Sequence, residues 1–146
     1  MRCIRYKAGY KYQLKEPYAL RIPIRPDKTV ASPGDYVRLT PEGELTIREG
    51  YAWDGPSGPT IDTASFMRGS LVHGALYQLM RECKDDFPKE TYREPADELL
   101  YALCREDGMW WLRANWVYYG VRLFGDPAAD PANDHPLERA PRSCEP

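Results

Sequence analysis

The residues best suited to chemistry lie in Tyr51–Arg81, where a loop rich in Gly, Pro and Asp runs into an amphipathic helix. His73 and Tyr77 are four residues apart, so their side chains share one face of that helix. Asp97 follows on the next predicted helix, and Asp54 lies in the loop. A His oriented by a carboxylate can take a proton from water. These four residues are the candidate catalytic residues.

The same residues also suit a purely structural role. His73 can exchange hydrogen bonds with Asp97 or with loop carbonyls and so hold the loop against the helices. Asp54 belongs to a residue class that bonds its own backbone and caps helices. Ser70, one turn before His73, does not lie on the strained turn that exposes a hydrolase nucleophile. We therefore favour the structural role for His73 over the catalytic one, and we do not expect an enzyme.

Neither a metal nor a cofactor is predicted. The loop glycines do not follow the spacing of a phosphate-binding or dinucleotide-binding motif. The four cysteines form no CxxC pair and no spacing with His that is typical of zinc sites (Cys3, Cys83, Cys104 and Cys144). Cys83 and Cys104 are interpreted as small core residues. Cys3 and Cys144 lie near the ends of the chain; a free thiol is expected at each, and a disulfide between chains is the alternative.

The first 50 residues have the pattern of an antiparallel sheet. Apolar and polar side chains alternate over Ile4–Leu14 and again over Leu20–Ile24. The prolines of the second stretch place it at an edge of the sheet or interrupt it. Val37–Leu39 and Leu45–Ile47 flank the turn residues Thr40–Glu44, which predict a short hairpin loop with Gly43 in the left-handed conformation. We therefore predict a sheet from residues 3–50.

After residue 60 the apolar period changes from 2 to 3.6, which predicts helices over 64–83, 95–108 and 109–124. Pro95 suits the first position of the second helix, and Gly108 suits its end. The third helix is rich in Trp and Tyr. Strands followed by helices indicate an α+β fold, with a three-helix layer packed on the sheet.

The chain divides into a single α+β domain, residues 1–125, and an extended Pro-rich tail, residues 126–146. The tail holds five of the 14 prolines and has no apolar period. Such a segment cannot bury a core of its own. We expect it to lie against its own domain or to act as an arm that contacts a neighbouring chain.

Charge is unevenly distributed although the net charge is only −2. Residues 1–28 hold eight basic and two acidic side chains. Solvated outer faces of strands are the favoured explanation, and a surface that attracts a protein or nucleic acid is the alternative. The predicted interaction residues lie in the N-terminal segment and in the tail (Arg2, Arg5, Lys7, Lys11, Leu137 and Cys144).

Four motifs resemble the phage and prophage family known as domain of unknown function 1353. They are WDGPSGPTIDT, SLVHGALYQLMR, the Pro-Ala-Asp of residues 95–97 and the VRLFG of residues 121–125. The resemblance covers the chain from about Tyr10 to Gly125. It implies a phage or prophage origin and an α+β domain, and it implies no particular reaction. The family pattern has His-Asp where this chain has His73-Gly74.

That departure bears on catalysis. A His-Asp pair, a Tyr one turn later and an Asp on a neighbouring helix resemble the site of secreted phospholipases, in which the Asp next to the His holds calcium. Three of these parts are present (His73, Tyr77 and Asp97). Gly74 has no side chain to bind a metal, and Asp54 and Asp62 are the alternative oxygen donors. The missing ligand weakens the enzyme hypothesis.

Three function classes follow. The favoured one is a structural component of a phage particle, in the neck, tail or baseplate, acting by protein–protein contact. Its expected partners are other phage structural proteins, including copies of itself. We expect it in the particle after synthesis in the bacterial cytoplasm, with no membrane partner and with nucleic acid disfavoured. The alternatives are a small hydrolase of lipid or cell wall that uses His73 and Asp97, and an intracellular factor that binds a host protein or nucleic acid.

Overall fold

A computed structural model of the chain describes residues 4–6, 12–53, 64–130 and 138–140, the first and last of these by their backbone alone. The fold is α+β, as predicted: antiparallel strands come first and helices follow. The strands are β1 (Ile4–Tyr6), β2 (Tyr12–Gln13), β3 (Tyr18–Arg21), β4 (Val30–Ala31), β5 (Val37–Leu39), β6 (Glu44–Ile47), β7 (Ala52–Trp53) and β8 (Glu138–Ala140). The helices are α1 (Ala64–Glu82), α2 (Lys89–Glu106), α3 (Trp111–Phe124) and α4 (Asp126–Ala129).

The main sheet has four antiparallel strands in the order β3-β6-β5-β4. The predicted hairpin is confirmed: β5 pairs with β6, and Leu39 lies opposite Leu45. Gly43 ends the turn with φ 88°, and a Cβ there would collide with the carbonyl oxygen of Ile22. Only glycine fits both constraints. β3 is an edge strand that ends before Pro23, as the prolines of this stretch indicate.

Two shorter strand pairs form two-stranded sheets of their own. β2 pairs with β7, which places Tyr12 opposite Trp53, and their rings are 5.6 Å apart. Trp53 is buried in the core. β1 pairs with β8, with Ile4 opposite Ala140. Both pairs join segments that are far apart in the chain, because β2 and β7 flank the main sheet in sequence and β1 and β8 lie near the two ends.

The first and third helices match their predicted bounds closely, and the second does not. α2 begins at Lys89, six residues before the predicted start. Pro95 lies inside it, although a proline lacks the N–H that would bond the carbonyl of Thr91. Pro95 is the seventh residue of α2 and lies in its second turn, while Pro88 is the residue that precedes the helix. The assumption that a proline marks the first helical position was wrong here.

The helices pack on one another and on the sheet. α2 lies between α1 and α3, and α1 covers the sheet. On α1 the face that carries His73 and Tyr77 is buried at Phe66, Ser70, Tyr77 and Met80. A Cβ at Gly69 would lie 3.0 Å from Leu100 Cδ1, so the glycine lets α1 and α2 approach closely. In the described part of the chain, no helix is long and apolar enough to cross a membrane.

Both described cysteines are free thiols. Cys104 is buried in the small core between the helices, and burial raises the pKa of its thiol to about 11. Cys83 is half-buried, and its thiol donates a hydrogen bond to the carbonyl of Ala31. Their interpretation as small core residues therefore fits the structure.

Part of the predicted tail contacts its own domain. α4 is a short helical turn, and Arg81 Nη1 donates to the carbonyl oxygen of Ala128 at 2.7 Å. Ala129 is buried in the main core. β8 adds its strand to β1. Within the described residues, the segment after Gly125 thus binds to the chain that carries it, while Leu137 and Cys144 lie outside the described residues.

Candidate functional site

The packing of α1 against α2 brings three of the four candidate residues together. His73 and Tyr77, one turn apart on α1, both face Asp97 on α2. His73 Nε2 lies 2.7 Å from Asp97 Oδ1, and Tyr77 Oη donates to the same oxygen at 2.6 Å. The fourth candidate, Asp54, lies outside the described residues. The structure therefore places Asp97, one of the predicted hydrogen-bond partners of His73, within reach.

Asp97 is fully buried, and its carboxylate accepts hydrogen bonds from side chains of α1 and α3. Its second oxygen, Oδ2, accepts a bond from Arg122 Nη1 at 2.9 Å. Burial by itself would raise the pKa of this carboxyl. The hydrogen bond and the charge of His73, followed by the bonds from Tyr77 and Arg122, outweigh burial and hold the pKa of Asp97 below its usual value. Asp97 is thus a carboxylate at neutral pH.

Tyr77 stays protonated next to this carboxylate. Burial first, and then the negative charge of Asp97, raise the pKa of its phenol far above the usual value. The hydroxyl therefore remains a donor to Asp97, and its oxygen accepts a weaker bond from Arg93 Nε at 3.3 Å. The His73 and Tyr77 rings lie 4.1 Å apart between centroids, tilted by 38°. These contacts fix the His73 ring against the helix.

Arg93 and Arg122 complete the site, and our sequence reasoning missed both. Arg93 Nη2 donates to the carbonyl oxygens of Val121 and Arg122, at 2.7 Å each. The carbonyls at the C-terminal end of a helix carry a partial negative charge, so a cation is favourable there; that of Val121 also accepts the N–H of Gly125. Arg93 thereby holds the end of α3 in the position from which Arg122 reaches Asp97. The VRLFG motif contains Arg122 and was the available signal.

The geometry defines which nitrogen of His73 faces Asp97. Because Asp97 is an acceptor, Nε2 of His73 is the donor to it, and in the neutral form of the ring this leaves the lone pair on Nδ1. The side chain is 13% exposed. A neutral imidazole in this tautomer, oriented by a carboxylate, has the arrangement of a general base. The same arrangement also satisfies a buried polar group, so the contacts alone are compatible with both roles.

The neighbourhood of His73 offers no ready metal site among the described residues: no group of three or more His, Cys, Asp or Glu side chains is placed to hold an ion there. A Cβ at Gly74 would lie 3.7 Å from Tyr51 Oη, which is ordinary contact. Ser70 accepts a bond from Trp53 Nε1 at 3.2 Å and donates to the carbonyl of Met67. Both its bonds are structural.

A second candidate site lies on the outer face of α3. One side of this helix buries Ala114 and Val117 against the small core. The other side exposes large apolar side chains to solvent, and four of them follow the helix in a line that we name the α3 stripe (Leu112, Trp116, Tyr119 and Leu123). A shallow groove of about 500 Å³ lies along its first half. The sequence showed an aromatic helix, but it did not show which side remains exposed.

The structure describes only part of the predicted basic interaction surface. Arg5 lies in β1, where the backbone alone is described. Cys3 lies outside the described residues. So do the other predicted interaction residues (Arg2, Lys7, Lys11, Leu137 and Cys144). Their role in contacts with a partner stays a prediction.

No protein family, no curated protein and no solved structure matches the chain. The resemblance of its motifs to the phage family therefore stays a prediction, and the function must be argued from the two sites themselves.

Proposed function

We propose that the protein is a structural component of a phage particle, in the neck, tail or baseplate, and that it acts by protein–protein contact. The observation that carries the proposal is the α3 stripe. Contiguous exposed apolar side chains on a folded domain mark interaction surfaces. Trp and Tyr are also the residues that contribute most to binding energy at such surfaces. The phage origin rests on the sequence motifs.

The surface that supports this proposal is the α3 stripe and not the Pro-rich tail. The Pro-rich tail was the expected contact arm, yet its described parts, α4 and β8, bind to their own chain. The α3 stripe is instead presented to solvent by a helix whose other side is packed in the core. A partner can therefore dock there without any rearrangement of the domain.

Particles of the phage or prophage that encodes the chain provide the test. Mass spectrometry of purified particles should find the protein at stoichiometric copy number. A variant with Trp116→Asp and Tyr119→Asp should fold but remain outside the particles, whereas Trp116→Phe, the matched control, should be incorporated. Absence of the unchanged protein from particles, or normal incorporation of the double Asp variant, would contradict the proposal.

A second candidate function is hydrolysis of lipid or cell wall, and the 2.7 Å contact between His73 Nε2 and Asp97 Oδ1 favours it. In this mechanism Nδ1 of His73 takes a proton from water, and the resulting hydroxide attacks the carbonyl carbon of an ester or amide. Asp97 stabilises the imidazolium that forms, and the proton then passes to the leaving group. Residues that would bind the substrate are not identified.

Purified protein, incubated with phospholipid vesicles and separately with peptidoglycan, tests this candidate. If His73 is the base, His73→Gln should abolish hydrolysis while the circular dichroism spectrum stays unchanged. Gly120→Ala on α3 is the control variant. A Cβ at this position would meet no described atom within 4 Å, so the variant should retain full activity. Activity that survives in His73→Gln would remove His73 from the mechanism.

A further inference from the structure

The carboxylate that contacts His73 is already paired with a cation. Arg122 Nη1 donates to Oδ2 of Asp97 at 2.9 Å, while the other oxygen, Oδ1, faces His73. Burial opposes the charge of Arg122, but the hydrogen bond and the negative charge of Asp97 outweigh it and raise the pKa of the guanidinium. Arg122 is therefore a cation throughout the physiological pH range.

A second cation lies one hydrogen bond farther away. Arg93 Nε donates to Tyr77 Oη at 3.3 Å, and Tyr77 Oη donates in turn to Asp97 Oδ1. Arg93 also lies 3.9 Å from the exposed carboxylate of Asp126. The one negative charge of Asp97 is thus balanced by Arg122 before His73 takes up a second proton. An imidazolium at His73 would add another positive charge around this buried carboxylate.

The charges around His73 come from all three long helices. The described titratable and charged side chains of this cluster are Tyr77 on α1, Arg93 and Asp97 on α2, and Arg122 on α3. Three others interact with Arg122 or with one another (Glu94, Glu98 and Tyr118). Two loop carboxyls lie outside the described residues (Asp54 and Asp62). Within the described part of the chain, Asp97 is the carboxylate in contact with the ring.

We propose that Arg122 is a positioning residue for His73: it holds Asp97 by Oδ2 so that Oδ1 faces the ring, and its positive charge opposes a second proton on the imidazole. The proposal deepens the second candidate function and rests on it, because a base must be neutral before it can take a proton from water. The same charge makes the imidazolium, once formed, readier to pass its proton to the leaving group. Arg122 acts through Asp97 and does not need to touch the substrate.

NMR of protein labelled with ¹⁵N-histidine tests the effect of the charge. The chain has two histidines, and the spectrum of His73→Gln identifies the ring signals of His73. At a given pH below neutrality, the ratio of imidazolium to imidazole should be about 10-fold higher in Arg122→Met than in the unchanged protein, because a nearby like charge has been removed. Arg122→Lys keeps the charge and should restore the ratio. Arg122→Gln keeps a donor without the charge and should not restore it.

Arg68→Met is the matched control. Arg68 Nη2 lies 2.8 Å from Oδ1 of Asp107, and its side chain is 24% exposed, against 28% for Arg122. The control variant also loses an arginine that joins two helices, but it should leave the ratio at His73 unchanged. Circular dichroism monitors folding, and Arg122→Gln should stay folded even where Arg122→Met does not, because its amide still donates to Oδ2. An unchanged ratio in a folded Arg122→Met or Arg122→Gln, or an equal change in Arg68→Met, would overturn the inference.

The pH–rate profile connects the charge to catalysis. The substrate is the phospholipid vesicle or the peptidoglycan, whichever the unchanged protein hydrolyses. The acid limb of kcat should move to higher pH by about one unit in Arg122→Met and should stay in place in Arg122→Lys. An acid limb that does not move in Arg122→Met would contradict the positioning role.

The positioning role and the hydrolase candidate fail separately. If the ratio changes as expected but neither substrate is hydrolysed, Arg122 still controls the charge of His73 and the hydrolase candidate is wrong. If hydrolysis depends on His73 but the ratio does not respond to Arg122, the hydrolase candidate stands and the positioning role is wrong.

Discussion

Arg122 Nη1 on α3 lies 2.9 Å from Oδ2 of Asp97 on α2, while Oδ1 of the same carboxylate accepts bonds from α1. One fully buried side chain is thus bonded to residues of both neighbouring helices. Arg93 supports this arrangement by binding the carbonyls at the end of α3. The stability of the helical layer should therefore depend strongly on this carboxylate.

Asp97→Asn should lower the free energy of unfolding by about 2–3 kcal/mol, because the new amide replaces a charged acceptor among donors. Asp126→Asn is the matched control: its carboxylate pairs with Lys89 at 3.0 Å but is 55% exposed. That change should cost less than about 1 kcal/mol. Urea denaturation measures both. Equal costs for the two variants would mean that the buried carboxylate has no special role.

The same carboxylate should make stability depend on pH in the acid range. Its pKa in the folded protein is lower than in the unfolded chain, where it is about 3.9. Its contribution is complete above the unfolded pKa and is lost as pH falls through the folded one. The stability gap between the unchanged protein and Asp97→Asn should shrink as pH falls below about 4. A gap that widens below about pH 4 would contradict the lowered pKa.

His73 and Tyr77 should be energetically coupled because they bond the same oxygen of Asp97. His73→Gln should cost about 1–3 kcal/mol and Tyr77→Phe about 1–2 kcal/mol, since each leaves a buried group with fewer partners. The double variant should differ from the sum of the single variants by at least about 0.5 kcal/mol. A double-mutant cycle from urea denaturation measures this. Simple additivity would show that the two bonds act independently.

Two glycines at the end of the helical layer should respond to alanine with opposite signs. At Gly125, a Cβ would collide with the carbonyl oxygen of Val121 and lie 2.9 Å from Tyr77 Oη. Gly125→Ala should therefore destabilise the fold by about 1–3 kcal/mol. At Gly120 a Cβ would meet no described atom within 4 Å, so Gly120→Ala should stabilise the fold by about 0.5–1 kcal/mol. Thermal unfolding compares them; loss of stability in both would refute the steric argument.

Sequence patterns predicted the helices and strands better than the contacts between them. The change of period predicted α1 and placed His73 and Tyr77 on one inner face, because helical geometry alone brings residues four apart together. Pro95 led to a wrong start for α2 because proline is common in the first turn of a helix, and the sequence does not distinguish that position from the second turn, where Pro95 lies. The contact from Arg122 to Asp97 joins residues 25 positions apart, and no local pattern encodes it.

The sequence did not predict the exposed α3 stripe, for a different reason. Both sides of this helix carry apolar residues, Val117 on one and Trp116 on the other, so periodicity cannot tell which side faces the core. Burial is decided by where α2 lies, which depends on the packing of the whole layer. A helix that is apolar on both sides is expected to be buried on both, and on α3 one of them is exposed.

The position of Asp97 between its partners also limits how early the chain can fold as it is made. Synthesis proceeds from the N-terminus, so α1 and α2 emerge before Arg122 does. Until then the carboxylate has His73 and Tyr77 but lacks its cation, and burying it is costly. We therefore expect the helical layer to close only after the last turn of α3 has left the ribosome. Fragments that end before Gly125 should behave as unfinished proteins, prone to capture by chaperones or proteases.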